Sequence, residues 1–252
     1  MKLNIKEEME RYYWYHCIDL GGGVVTDGDY DLRPLLPEYG FPSRMHGMRV
    51  LDVGRASGFF SFEFEERGAD VTATEIRSYL DWDFVGGEIC RQKRRTEIGD
   101  EESFNRREIY GAFEFAHRVR QSTVASKRLT AYELSPEIFG GRKFDLVFAG
   151  SISSHVRDPI LAFEKLYSVT GSECILASPT FAIPAVADLP MLALVGTADS
   201  DRRSWWTMNV NGLVEMLRCA NFRDVEVISQ LEIRNRRVGG LVVPHTVVRA
   251  RP

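Results

Sequence analysis

Apolar positions along this chain change their period in a regular order, and the changes divide it into alternating strands and helices. The unbroken apolar run at 49–53 predicts a strand buried on both faces, the form that a parallel strand takes. It stops at Gly54, and Gly54 and Gly58 bracket a turn where the backbone must bend tightly. Phe59, Phe60, Phe62 and Phe64 then lay a helix against a sheet, with Ser57 placed to cap it and Arg67-Gly68 to end it. A second strand follows at 70–74 and carries Glu75 at its carboxyl end. Further strands are predicted at 127–133, 144–149 and 173–178, with a terminal pair at 225–231 and 241–249. Helical spacing returns at 107–120, at 160–169 after the N-cap Asp158 and Pro159, and at 211–220. Strands alternating with helices and closing in a hairpin predict an α/β doubly wound sheet with right-handed crossovers.

Two segments stand outside that alternation. Residues 1–47 read as an N-terminal arm, with a short helix to about residue 15, the aromatic cluster Tyr12 to Tyr15, and Pro34, Pro37 and Pro42 before the first strand. Residues 86–105 are polar and unevenly charged, which predicts a mobile insertion in a 48–252 domain rather than a second domain. With 252 residues, 44% hydrophobic and 27% charged, the chain can bury one large core. A net charge of −4 gives no global attraction for nucleic acid or an anionic membrane. No apolar run approaches a membrane span and the first residues lack a signal-peptide core, so a cytoplasmic location is expected. Cys17, Cys90, Cys174 and Cys219 form no C-x-x-C pair, and neither a disulfide framework nor a metal site is expected.

The acids around the glycine turn select a ligand. Asp52 lies on the last turn of the first strand, where a dinucleotide's pyrophosphate would sit, and its charge would repel that group. Ala56 also replaces the second glycine of G-x-G-x-x-G. A cationic ligand with a ribose suits an acid before the turn and Glu75 after the second strand. S-adenosylmethionine has a ribose, an ammonium, a sulfonium and no phosphate.

The combination of Trp14-Tyr-His-Cys-Ile-Asp-Leu, the Val-Leu-Asp-Val-Gly turn with Gly58-Phe-Phe, Phe144-Asp-Leu-Val-Phe and His155-Val-Arg-Asp-Pro resembles the class I S-adenosylmethionine-dependent methyltransferases. Within them it is most similar to the tRNA wobble-uridine carboxymethyltransferase-like family. The resemblance implies a Rossmann-like, seven-stranded, mostly parallel sheet with an antiparallel last strand. It also implies cofactor contacts at Asp52, Gly54, Arg55, Ala56, Gly58, Phe59, Glu75, Ile76, Tyr132, Glu133 and Gly150, with Glu133 placed to meet the adenine amino group.

Departures from that family redirect the substrate. Its tRNA enzymes hold a carboxylated donor with lysines ahead of the first strand and a tyrosine before the histidine. Here no lysine lies between Lys6 and Lys93, and Ser154 takes the tyrosine's place. Burying a carboxylate without partners is costly, so ordinary S-adenosylmethionine and a small-molecule acceptor, methylated at a hydroxyl, are expected. An RNA methyltransferase and a non-catalytic adenosyl-ligand binder remain as alternatives, with nucleic acid not expected as the partner. An alcohol acceptor needs a base, and His155 and His16 are the two candidates, His155 having a loop-capping role as its competing reading. The acceptor pocket is expected to draw on Trp14, Tyr15, Ser154, Arg202, Trp205 and Trp206.

Overall fold

The computed structural model describes residues 5–197 and 203–252. Nine strands are described: β1 (Arg49–Val53), β2 (Asp70–Glu75), β3 (Ala125–Arg128), β4 (Phe144–Gly150), β5 (Thr170–Pro179), β6 (Leu192–Leu194), β7 (Trp206–Met208), β8 (Asp224–Arg234) and β9 (Val242–Arg251). The α-helices are α1 (Ile5–Met9), α2 (Phe59–Glu66), α3 (Gly87–Ile98), α4 (Glu101–Asn105), α5 (Gly111–Arg120), α6 (Ile152–His155), α7 (Pro159–Val169) and α8 (Val210–Cys219). Seven strands form one sheet in the order β3-β2-β1-β4-β5-β9-β8, while β6 and β7 pair separately. The pairs from β3 to β5 are parallel, and β9 runs antiparallel to both β5 and β8. This is the Rossmann-like sheet that the sequence implies.

Side-chain alternation explains why the central strands read as unbroken apolar runs. Val50, Leu146 and Phe148 turn to one face and join Phe60, Phe64 and Tyr39. Leu51, Val53 and Val147 turn to the other and join Phe163 and Leu166 of α7 and Leu213 and Leu217 of α8. Both faces are buried, so neither shows a polar alternate. The chain order reverses between β1 and β4, and ligands of open α/β sheets bind outside the strand carboxyl ends at such a point.

Four sequence expectations shift. Ser57 does not cap α2, whose N-cap is Gly58 with no side-chain hydrogen bond. The third strand ends at Arg128, because Thr130 and Glu133 form a reciprocal cap around a short 3-10 turn. The first helix ends at Met9. Residues 86–105, where the sequence reading placed no helix, are helical in α3 and α4, with Arg91 held by Glu88 and the carbonyl of Leu80.

The arm folds back on itself before the sheet begins. Cys17 donates to the Tyr30 carbonyl at 2.8 Å and Tyr30 to that of Tyr15 at 2.9 Å. The close approach needs Gly28, where a Cβ would lie 2.1 Å from the carbonyl carbon of His16. Trp14, Ile18 and Leu20 then enter the same core as α2.

Candidate functional site

At the carboxyl end of β1 the chain turns back over β2. The N–H groups of Gly54 and Arg55 both donate to the Thr74 carbonyl at 3.0 Å, and Gly54, Ala56 and Gly58 take positive φ values of 75°, 48° and 96°. The positive φ favours glycine at the first of these, and a Cβ on Gly54 would also have to displace Ile152 Cδ1, which it would meet at 2.3 Å. Beyond the turn lies a cavity of about 420 Å³, walled by Gly54, Ala56, Ser57, Glu75, Gly150 and Ser151 on the sheet side. Tyr13, Tyr15, Asp29 and Tyr30 of the arm wall it opposite, with Trp82, Ser154, His155, Arg203 and His245 completing the rim. A second, more open groove of about 560 Å³ lies around Ile160, Met191, Leu192 and Met216 and includes none of the turn residues.

Glu75 is fixed by the turn it faces. Its Oε2 accepts from the Ala56 N–H at 2.8 Å and its Oε1 from the Ile76 N–H at 3.0 Å. Each carboxylate oxygen keeps a further lone pair for a ligand hydroxyl. Burial raises its carboxyl above the ordinary range, against the pull of Arg55 and these N–H groups. Arg55 lies beneath the turn, with its guanidinium 4.1 Å from the Phe113 ring centre and 3.9 Å from Glu75 Oε2. Its Nε and Nη1 have no hydrogen-bond partner, so its charge is balanced through space by Glu75 and Asp52.

Several expected contacts lie elsewhere. Asp52 is buried behind the turn, accepts from Ser61 Oγ at 2.5 Å, and has its pKa pushed up to about 7 by burial. Arg55, Gly58 and Phe59 are likewise packed inward, and Ile76 contributes its N–H to Glu75 rather than a cavity wall. Glu133 is held in two bonds by Arg77, at 2.8 and 2.6 Å, which keeps its carboxyl down at about 2. Tyr132 donates to Asp83 at 2.6 Å and is also off the wall. Among the expected acceptor residues, Tyr15 and Ser154 line the cavity. Trp14 is core, donating to the Met9 carbonyl. Trp205 and Trp206 turn their indole N–H groups onto the carbonyls of Asp83 and Arg157, and Arg202 lies outside the described residues.

The two candidate bases separate clearly. His16 is 5% exposed, sits edge-on to Phe60 and Tyr15, and has a pKa pushed down to about 3 by burial; it does not line the cavity. His155 does. Its Nδ1 is 2.9 Å from the Arg203 carbonyl, and a carbonyl only accepts, so Nδ1 carries the hydrogen and Nε2 carries the lone pair. Burial lowers its pKa to about 4, so the ring is neutral at pH 7. Trp82 packs edge-on against it at 4.9 Å.

Sequence reading misses the other half of the wall. Asp29 accepts from Tyr13 OH at 2.6 Å and pairs with Arg237 at 3.1 Å. His245 of β9 meets Ser151 at 2.9 Å. Neither carries a motif; only the aromatic cluster of the arm signalled this region. The cavity therefore presents Asp29, Glu75 and Glu108 against Arg203 alone among its described lysines and arginines.

No protein-family model matches the chain, and no curated protein sequence matches it. Solved structures do match in fold. The N-terminal domain of EvdMO1, crystallised with S-adenosylhomocysteine and D-fucose, is 17% identical with a TM-score of 0.63, covering 98% of this chain and 95% of that one. Full-length EvdMO1 is covered over 46% of its length. Magnesium protoporphyrin IX methyltransferase from Synechocystis PCC 6803, with bound S-adenosylmethionine, is 12% identical at a TM-score of 0.52, covering 88% and 78%. The 1,6-didemethyltoxoflavin-N1-methyltransferase of Burkholderia thailandensis is 16% identical at 0.52, covering 88% and 79%. The chain has the class I methyltransferase fold.

Proposed function

We propose that this protein is an S-adenosylmethionine-dependent methyltransferase that transfers to a hydroxyl of a small molecule. The observation that carries the reading is one cavity that joins the Gly54 turn and Glu75 to a neutral histidine with a free Nε2. Structures of the same fold hold this cofactor or its demethylated product.

The residues fit the group. Glu75 offers two oxygens to ribose hydroxyls, and the Gly54 turn bends under Ile152 to leave backbone beside the cavity. An acidic wall suits a ligand with an ammonium and a sulfonium. When bound, S-adenosylmethionine supplies an electrophilic methyl group. The chain's part is to hold the acceptor oxygen in line and to take its proton. His155 Nε2 receives that proton as the oxygen gains carbon, and the positive charge passes to the imidazolium. The lowered pKa leaves the ring neutral at neutral pH, with the Nε2 lone pair available to the proton. The arm closes the opposite side with Tyr13, Tyr15 and Tyr30.

The ordinary donor is favoured over a carboxylated one. Ser154 donates its hydroxyl to the Ser151 carbonyl, and Arg33 is tied to Asp31 by bonds of 2.8 and 2.7 Å. The arm (1–47) then serves the acceptor pocket of the 48–252 domain. Calorimetry with adenosylhomocysteine, followed by transfer of labelled methyl to a panel of sugars and phenols, tests the reading. Binding and transfer to an oxygen are expected; absence of binding would overturn it.

A further inference from the structure

Ser151 begins the turn from β4 into α6 with φ 59°, and its Oγ lies 2.9 Å from His245 Nε2. The other ring nitrogen, Nδ1, is 2.9 Å from the Val243 carbonyl. That carbonyl can only accept, so Nδ1 carries the hydrogen and Nε2 is the acceptor. The hydrogen of the Ser151 hydroxyl is therefore committed to His245. What Ser151 turns toward the cavity is lone pairs.

His155 offers a lone pair to the same cavity by the same logic, with Nδ1 held by the Arg203 carbonyl. Ser151 immediately precedes α6 and His155 ends it, so both acceptors come from one short segment and line the same cavity. Two acceptors on one wall match two donors carried side by side on a ring. A single hydroxyl can donate to one of them and leaves the other without a ligand donor, the kind of loss by which polar sites discriminate against analogues lacking a hydroxyl.

We propose that the acceptor is a vicinal diol: the hydroxyl to be methylated donates to His155 Nε2 and its neighbour donates to Ser151 Oγ. His245 is a positioning residue that fixes the direction of the Ser151 hydroxyl. This rests on the methyl-transfer reading. The reacting oxygen forms its bond to the methyl carbon as the carbon–sulfur bond breaks, its proton passes to His155, and a neutral thioether is left. The second hydroxyl keeps its proton. Tyr15 and Tyr30, packed at 4.8 Å, provide a ring-sized aromatic surface on the facing wall.

The test is binding to the full chain loaded with adenosylhomocysteine. One arm compares catechol with phenol, and the other compares methyl α-D-fucopyranoside with its 3-deoxy analogue, which has no adjacent pair of ring hydroxyls. The arm that discriminates identifies a phenolic or a saccharide source. Wild type is expected to prefer the diol by about tenfold or more in one arm. Ser151→Ala should remove that preference. His245→Gln, which keeps an acceptor for the Ser151 hydroxyl, should retain most of it, and His245→Phe should lose it. An unchanged preference in Ser151→Ala and His245→Phe, or no preference in either arm, would overturn the assignment. Failure of adenosylhomocysteine to bind would instead sink the methyl-transfer reading beneath it.

Discussion

The hydroxyl of Ser57 accepts the backbone N–H of Tyr15 at 2.9 Å and stands 3.4 Å from that of His16, so one serine in the glycine turn anchors the arm that faces it. Cofactor turn and acceptor wall are thereby one unit. Ser57→Ala leaves two buried N–H groups without their acceptor and should lower the unfolding free energy by about 1–3 kcal/mol. Denaturant titration gives the loss, and faster amide exchange confined to the arm locates it.

Glu75→Ala removes both carboxylate oxygens from the cavity and leaves Arg55 uncompensated beneath the turn. Adenosylhomocysteine affinity should fall by about 1–3 kcal/mol through lost charged hydrogen bonds. Calorimetry showing equal affinity would remove Glu75 from the ribose site.

His155→Gln keeps a polar side chain of similar length but cannot take the proton. Turnover should drop about 10²–10⁴-fold while adenosylhomocysteine affinity stays close to wild type. In wild type the base is neutral well below pH 7, because its pKa is lowered to about 4. Turnover should therefore hold from neutral pH to about 5 and fall below that, as a pH profile of kcat would show.

His16 contributes to stability with a definite sign. Its pKa falls from 6.5 in the unfolded chain to about 3 in the fold, so the stabilisation is present above pH 6.5 and is lost as pH falls toward 3. At pH 5 the loss is 1.5 pH units below 6.5, or about 2 kcal/mol. Asp52 acts in the opposite direction, its pKa being raised from 3.8 to about 7, so stability from it increases as pH falls through that range. The comparison that isolates His16 is therefore His16→Gln against wild type. Between pH 7 and pH 5 the wild type should lose about 2 kcal/mol more than the variant in denaturant titrations.

The sequence by itself determined the strand, glycine turn and helix from Arg49 to Glu66, the acid at Glu75, the parallel order of alternating elements, and His155 after β4. These are local features: an apolar run long enough to be buried on both faces, a turn that needs positive φ, and an acid at a strand end all leave their mark within a few residues. The direction in which side chains turn was decided by partners far along the chain. Trp14 and His16 read as pocket residues but meet Phe115 and Phe60 in the core, while Trp205 and Trp206 spend their N–H groups on loop carbonyls. Glu133 was drawn away by Arg77, 56 residues earlier. The Ser151 and His245 pair spans 94 residues, and it exists because β9 enters antiparallel between β5 and β8 and brings His245 level with Pro179, at the carboxyl end of β5. Strand insertion of that kind is set by burial of both sheet faces together, a property of the assembled core that no single stretch of sequence carries.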